Sequence, residues 1–280
     1  MKKIFLTSLF ALFLLQVMAQ QVNIIPQPVE LQQKEGVFNF TPETQILFDT
    51  SDEDLAEVVE LSHELITATL GFEPVLLDEK KAEPTQNFVV HLNSLVDPDI
   101  KIEGYKLHIK NDRIFLNANT PAGVFYGFQT LWQLLTASEG NKLAAVEIVD
   151  YPRFAWRGLH LDVSRHFMPA EFIYKYIDYI AMHKMNVFHW HLVDDQGWRI
   201  EMEQYPKLTE IGAWRVDREN QHWNSREPAR KGEEATYGGF YTQQQIKDIV
   251  AYAQERKVTI VPEIEMPAHV MSALAAYPEY

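Results

Sequence analysis

Cysteine is absent from the 280 residues, so neither disulfides nor thiolate metal sites are available to the chain. Glycine and proline are sparse, 12 and 14 residues, beside an apolar share of 46%. That balance excludes a chain dominated by disorder and provides core for one large domain or two ordinary ones. Positive charge is also scarce: 25 Lys and Arg stand against 39 Asp and Glu, a formal net charge of −14. Such a chain has no long-range attraction for nucleic acid or anionic membrane, yet nothing in it bars a neutral ligand such as a sugar. The one long apolar run, Ile4 to Val17, falls short of the roughly 20 residues that span a bilayer.

That run has another reading. Met1-Lys2-Lys3 is a short positive region ahead of it, and Val17-Met18-Ala19 offers small residues where signal peptidase cuts. Residues 1–19 are therefore predicted to be a signal peptide, with cleavage before Gln20 and no membrane insertion afterwards. No cysteine follows to carry a lipid. The product is expected in the periplasm or outside the cell.

Two units follow, dividing near residue 150. Residues 20–150 read as a smaller α+β domain. Leu55, Val58, Val59, Leu65 and Ile66 recur at helical spacing over 55–70. Phe88 to Leu92 is a short apolar strand. Tyr105–Ile109 and Arg113–Ala118 alternate around Asn111-Asp112 and read as a hairpin, and Pro121 opens a helix to about Leu135. His63-Glu64 begins a metalloprotease-like pattern, but the position four after His63 is Thr67, so the metal-binding pair fails.

Residues 151–280 change to a strand–helix–strand rhythm. Strands are predicted over 156–163, 185–193 and 258–264, with helices over 169–183 and after the capping box Thr242-Gln243-Gln244-Gln245. Alternation of this kind indicates an α/β fold with a parallel sheet, doubly wound or barrel. Polar residues gather at the C-terminal ends of these strands, where such folds place function. Asp162 with Ser164-Arg165-His166, His189 through Asp195, and Glu263 through His269 are the three clusters. His189 and His191 share a strand face and could ligate a metal, but no further ligands obviously converge, so none is expected. Asp194 and Asp195 point to opposite faces unless the strand has ended. Glu263 and Glu265 form an acid–base pair or contact an arginine such as Arg199 or Arg165.

The blocks Asp150-Tyr151-Pro152-Arg153-Phe154-Ala155-Trp156-Arg157-Gly158 with Leu161-Asp162-Val163-Ser164-Arg165-His166, Asn186 through Arg199, and Pro262 through His269 resemble, in order and spacing, the catalytic domain of family 20 glycoside hydrolases, the β-N-acetylhexosaminidases. Residues 22–150 resemble the α+β domain that precedes the barrel in that family. The resemblance implies an incomplete TIM (β/α)8 barrel with about three strands present, preceded by the smaller domain. It also implies exo-acting, retaining hydrolysis assisted by the substrate's own acetamido oxygen, with no cofactor. The expected partner is an N-acetylhexosamine-terminated oligosaccharide or glycoconjugate. Carried over by position, Arg157 would hold sugar hydroxyls, and Asp194 with His269 would form a relay toward the catalytic acid.

Glu265 and Ala268 stand where the family usually has Asp and Gly. The family's catalytic Asp-Glu pair lies on a later strand, and here Asp-Glu occurs only at 52–53 and 78–79, both in the first unit. Residues 153–280 also number 128, against about 250 for a whole barrel. The chain is thus expected to be the front part of a longer, active product and to be inactive itself. Two alternatives stay open: a metal-dependent hydrolase using His189 and His191, or a non-catalytic glycan-binding relative.

Overall fold

The computed structural model describes residues 22–82, 86–222 and 225–280. The predicted signal peptide therefore lies outside the described residues.

The first unit is a seven-stranded mixed sheet. Its strands are β1 (Glu30–Asn39), β2 (Gln45–Phe48), β3 (Val75–Asp78), β4 (Asn87–Leu92), β5 (Tyr105–Ile109), β6 (Arg113–Ala118) and β7 (Lys142–Asp150), in the order β1-β7-β5-β6-β4-β2-β3. The predicted hairpin is β5–β6, with Ile109 opposite Ile114. Two helices cross this unit, α1 (Glu53–Leu70) and α2 (Pro121–Thr136). Asp52 caps α1 by accepting from the Leu55 N–H, and Gly71 closes it at φ 76°, a left-handed conformation that glycine adopts without a Cβ penalty. Thr120 caps α2 ahead of Pro121. Buried residues run round nearly the whole of α2, because it packs on α1 and on β5 and β6 while Tyr126 and Gln133 reach the second unit.

The second unit begins with β8 (Gly158–Asp162), α3 (Ala170–Met182) and β9 (Val187–Asp194). A two-residue strand, β10 (Gly197–Trp198), folds back on β9. Next come the short α4 (Lys207–Glu210) and the two-residue pair β11 (Trp214–Arg215) and β12 (Tyr237–Gly238). The chain then forms α5 (Gln243–Glu255), β13 (Thr259–Ile264) and the short α6 (Met271–Ala276). β8, β9 and β13 are parallel neighbours with β9 in the middle. Among the described residues they form an open barrel-type sheet of three βα units that does not close. Alternation along the strands turns Phe188, Trp190 and Leu192 outward to the helices, where Phe188 packs on Tyr176 of α3. The opposite set, His160, Asp162, His189, His191 and Glu263, lines the inner face. The register sets His160 beside His189 and Asp162 beside His191, itself level with Glu263.

The predicted capping box of α5 is present, Thr242 and Gln245 bonding reciprocally to each other's backbone N–H. Ile249 and Ala253 of α5 are buried, but Val250 stands 42% exposed beside Ile264 of β13, 45% exposed. They border a groove of about 660 Å3 running along the open side of β13.

The two units meet through buried polar contacts. Lys184, in the turn between α3 and β9, places its ammonium 2.8 Å from the Asp150 carboxylate and 2.8 Å from the Tyr105 hydroxyl. Burial pushes the Lys184 ammonium down against the pull of Asp150, and pushes the Tyr105 hydroxyl well up.

Candidate active-site face

The C-terminal ends of β8, β9 and β13 bring three loops together. β8 ends at Asp162, whose Oδ1 accepts the backbone N–H groups of Ser164 and Arg165, both at 3.0 Å. Its Oδ2 lies 2.7 Å from a terminal nitrogen of Arg165. Burial would raise the Asp162 carboxyl, but the backbone N–H and guanidinium of Arg165 outweigh it and hold the group below the usual carboxylate value. The second terminal nitrogen of Arg165 lies 2.6 Å from Asp194 Oδ2, and Nε donates to Gln196 at 3.1 Å. A guanidinium has five N–H donors, and these contacts take one on each nitrogen. Two donors remain, on a side chain one-third exposed at the mouth of the site.

Asp194 ends β9 and its side chain is only 2% exposed. Its Oδ1 accepts the Asp195 N–H at 2.6 Å and lies 3.4 Å from His269 Nδ1. Because the strand stops there, Asp195 is free to turn, and its Oδ2 also lies 3.4 Å from His269 Nδ1. His269, at φ 55° in the loop after β13, thus sets one half-exposed imidazole between two carboxylates. Both carboxylates present hydrogen-bond acceptors to the same ring nitrogen. The Ser272 hydroxyl ties this loop to the Asp194 carbonyl at 2.8 Å.

Beneath the face lies Arg199, fully buried, its guanidinium donating to the carbonyls of Val163, Ser164, Ala213 and Gly239. Burial lowers it to about 10, so it stays charged at neutral pH. Gly197 makes room for it, since a Cβ there would come within 2.3 Å of the guanidinium. Arg215 donates to the Arg165 carbonyl at 2.7 Å and to Glu219 at 2.7 Å. Glu219 in turn meets Arg226 at 2.8 Å and His166 at 2.9 Å. The loop between β11 and β12 is thereby strapped to the residues that present Arg165.

Asp194 and His269 come together, but the expected grouping of Arg157 with them does not form. Arg157 immediately precedes β8, at the opposite end of the strand, about 16 Å away for five residues of extended chain. Its guanidinium is spent at the junction with the first unit. Nε donates to the Lys184 carbonyl at 2.8 Å, and the terminal nitrogens meet Glu103 at 2.8 Å and Tyr126 at 3.2 Å. Arg165, eight residues on, is the arginine that the structure sets beside Asp194. The Glu263 expectation also changes, since neither Arg165 nor Arg199 meets it. Its Oε2 lies 2.6 Å from His189 Nε2. Burial would raise this carboxyl, yet a hydrogen bond with the Glu265 carboxyl and the imidazoles of His191 and His189 keep it below the usual value.

Comparison with known proteins agrees with this geometry. The model for the glycosyl hydrolase family 20 catalytic domain matches residues 154–280, and the model for domain 2 of that family matches residues 21–151. The chain belongs to glycosyl hydrolase family 20. It is 40% identical over 266 residues to a β-hexosaminidase of Porphyromonas gingivalis, covering 92% of this chain and 32% of that protein. A β-hexosaminidase of Vibrio furnissii is 36% identical over 94% of this chain and 40% of its own length. Among solved structures, the family 20 exo-β-N-acetylglucosaminidase of Vibrio harveyi in complex with N-acetylglucosamine superposes with a TM-score of 0.76 at 32% identity. That match covers 91% of this chain and 38% of the other. The chain thus spans about a third to two-fifths of the length of these relatives.

Proposed function

We propose that this chain belongs to an exo-acting β-N-acetylhexosaminidase, which removes terminal N-acetylglucosamine or N-acetylgalactosamine from glycans with retention of configuration. The observation that carries the reading is the joint placement of Arg165, Asp194 and His269 on three strand ends of a family 20 barrel sheet. The two uncommitted donors of Arg165 suit a pair of sugar hydroxyls, since a planar guanidinium binds two oxygens at fixed spacing. Asp194 holds Arg165 and His269 at once, so it couples the group that grips the sugar to the imidazole beside it. His269, flanked by Asp194 and Asp195, is suited to orient a neighbouring acid and hold its proton. The acid itself and the carboxylate that orients the acetamido group belong, by the family pattern, to a later strand that this sequence does not contain.

The leader-like segment supports export to the periplasm or beyond. The deciding assay is release of a chromogenic aglycone from β-N-acetylglucosaminide and β-N-acetylgalactosaminide by the full gene product. Turnover of either supports the assignment; inertness toward both overturns it.

A further inference from the structure

A second cluster lies on the inner face of the sheet, one row below the Arg165 site. His160 of β8 and His189 of β9 are register partners, and their rings meet edge to face at 4.7 Å. Glu263 of β13 reaches toward both, with its Oε2 2.6 Å from His189 Nε2 and 3.7 Å from His160 Nε2. One donor atom from each residue lies within 4.8 Å of the other two. We propose that His160, His189 and Glu263 form a binding site for a divalent transition-metal ion of the zinc class.

Size supports this first. Bonds of about 2.0–2.2 Å in a tetrahedral site set ligand atoms about 3.3 Å apart, and the observed 2.6 and 3.7 Å bracket that edge. Small side-chain rotations close the difference without moving a strand. The donors project from three adjacent hydrogen-bonded strands, a rigid support of the kind metal sites need. Their chemistry decides the class: two imidazoles and a carboxylate suit zinc, cobalt or nickel, whereas magnesium and calcium take oxygen ligands. Charge agrees, because Asp162, Asp194, Glu263 and Glu265 surround the inner face and the Arg165 cation is held by the first two.

His191 stays outside the ligand set. Its Nε2, which lies 3.6 Å from Glu263 Oε1, donates to the Val193 carbonyl at 3.0 Å and so carries its proton rather than a free lone pair. Three protein ligands then leave a fourth position for water. This differs from the paired His189 and His191 ligation weighed in the sequence: the set needs His160, a lone histidine in an apolar strand. The site is independent of the hydrolase reading, since neither His160 nor Glu263 has a part in that mechanism as described.

The test uses the full gene product without an affinity tag, stripped with chelator and titrated with zinc chloride by calorimetry at pH 7.5. One zinc per chain with micromolar or tighter affinity is expected. His160→Leu should weaken it at least 100-fold, and His269→Ala, in the separate Asp194–Asp195 cluster, should leave it unchanged. If His160→Leu loses its circular dichroism spectrum, His160→Gln takes its place. No stoichiometric binding up to 100-fold above micromolar zinc overturns the proposal. So does binding that survives the His160 substitution or depends on His269.

Discussion

Arg157 and Arg165 stand at opposite ends of one five-residue strand, and they show how the same side chain serves two purposes. At the N-terminal end, Arg157 meets the Lys184, Phe154 and Ala155 carbonyls, Glu103 and Tyr126. Every contact is within the chain, and the result is a fastening between two units. At the C-terminal end, Arg165 is braced by Asp162, Asp194 and Gln196 but keeps donors facing the open site. The difference follows from what surrounds each end. The first unit's sheet and α2 pack over the N-terminal side and consume the donors there, whereas only loops meet at the C-terminal side.

The contrast is sharpened by substitutions at either end. Lys184→Met leaves the Asp150 carboxylate buried without its cation, so it should cost about 3–5 kcal/mol in urea unfolding. Lys184→Met with Asp150→Leu should regain much of that loss, because the pair then leaves no uncompensated charge. Arg165→Ala should lower kcat/KM of the full gene product about 10- to 200-fold, the loss of one or two charge-assisted hydrogen bonds worth about 1.5–3 kcal/mol. Its unfolding midpoint should change less than that of Arg157→Ala. The opposite ordering, Arg157→Ala inactive but fully stable, would place the sugar-holding group back at the junction.

Thr242→Ala removes the α5 cap and should cost about 1 kcal/mol by denaturant unfolding, with no effect on KM. The smallest effect expected is at Glu219. Burial would raise this carboxyl, but hydrogen bonds from Arg215 and Arg226 hold it below its ordinary value. A depressed folded-state value adds stability that is complete above the unfolded value of about 4.3 and is lost as pH falls through the folded one. Glu219→Gln should therefore lower stability slightly at pH 7, by no more than about 1 kcal/mol for a solvent-screened surface pair. The gap to the parent should vanish toward pH 3; a constant gap would show that the strap does not depend on charge.

Several elements were legible because local chemistry and tertiary role coincide. The Pro121 and Thr242 starts, the Gly71 stop and the Asn111-Asp112 hairpin are all visible as residue types at set spacings. β1, β2, β3 and β7 were not read as strands. β1 is Glu-Leu-Gln-Gln-Lys-Glu-Gly-Val-Phe-Asn, mostly exposed, and its strand state comes from pairing with β7 across an irregularity between Gln33 and Val37. Propensity carries no trace of such a partner. In the site, Asp194 and His269 stood out as polar residues at strand ends, while Arg165 was passed over in favour of Arg157. Arg165 already stood in a cluster at the C-terminal end of a predicted strand and Arg157 near the start of the same strand, but the resemblance put the sugar-holding role on Arg157.

By itself the sequence determined the family, the order of the three long strands and two long helices in the second unit and the set of polar residues available at its strand ends. These are carried by residue identity and spacing, which survive without coordinates. The tertiary structure decided which of two arginines is spent on packing and which is left with donors to offer. It also decided that Asp195 joins Asp194 at His269, and that His160 meets His189 and Glu263 across three strands. The physical reason is the same in each case. Whether a polar group is satisfied depends on partners far off in the chain, and those partners are set by strand register and by where each strand stops.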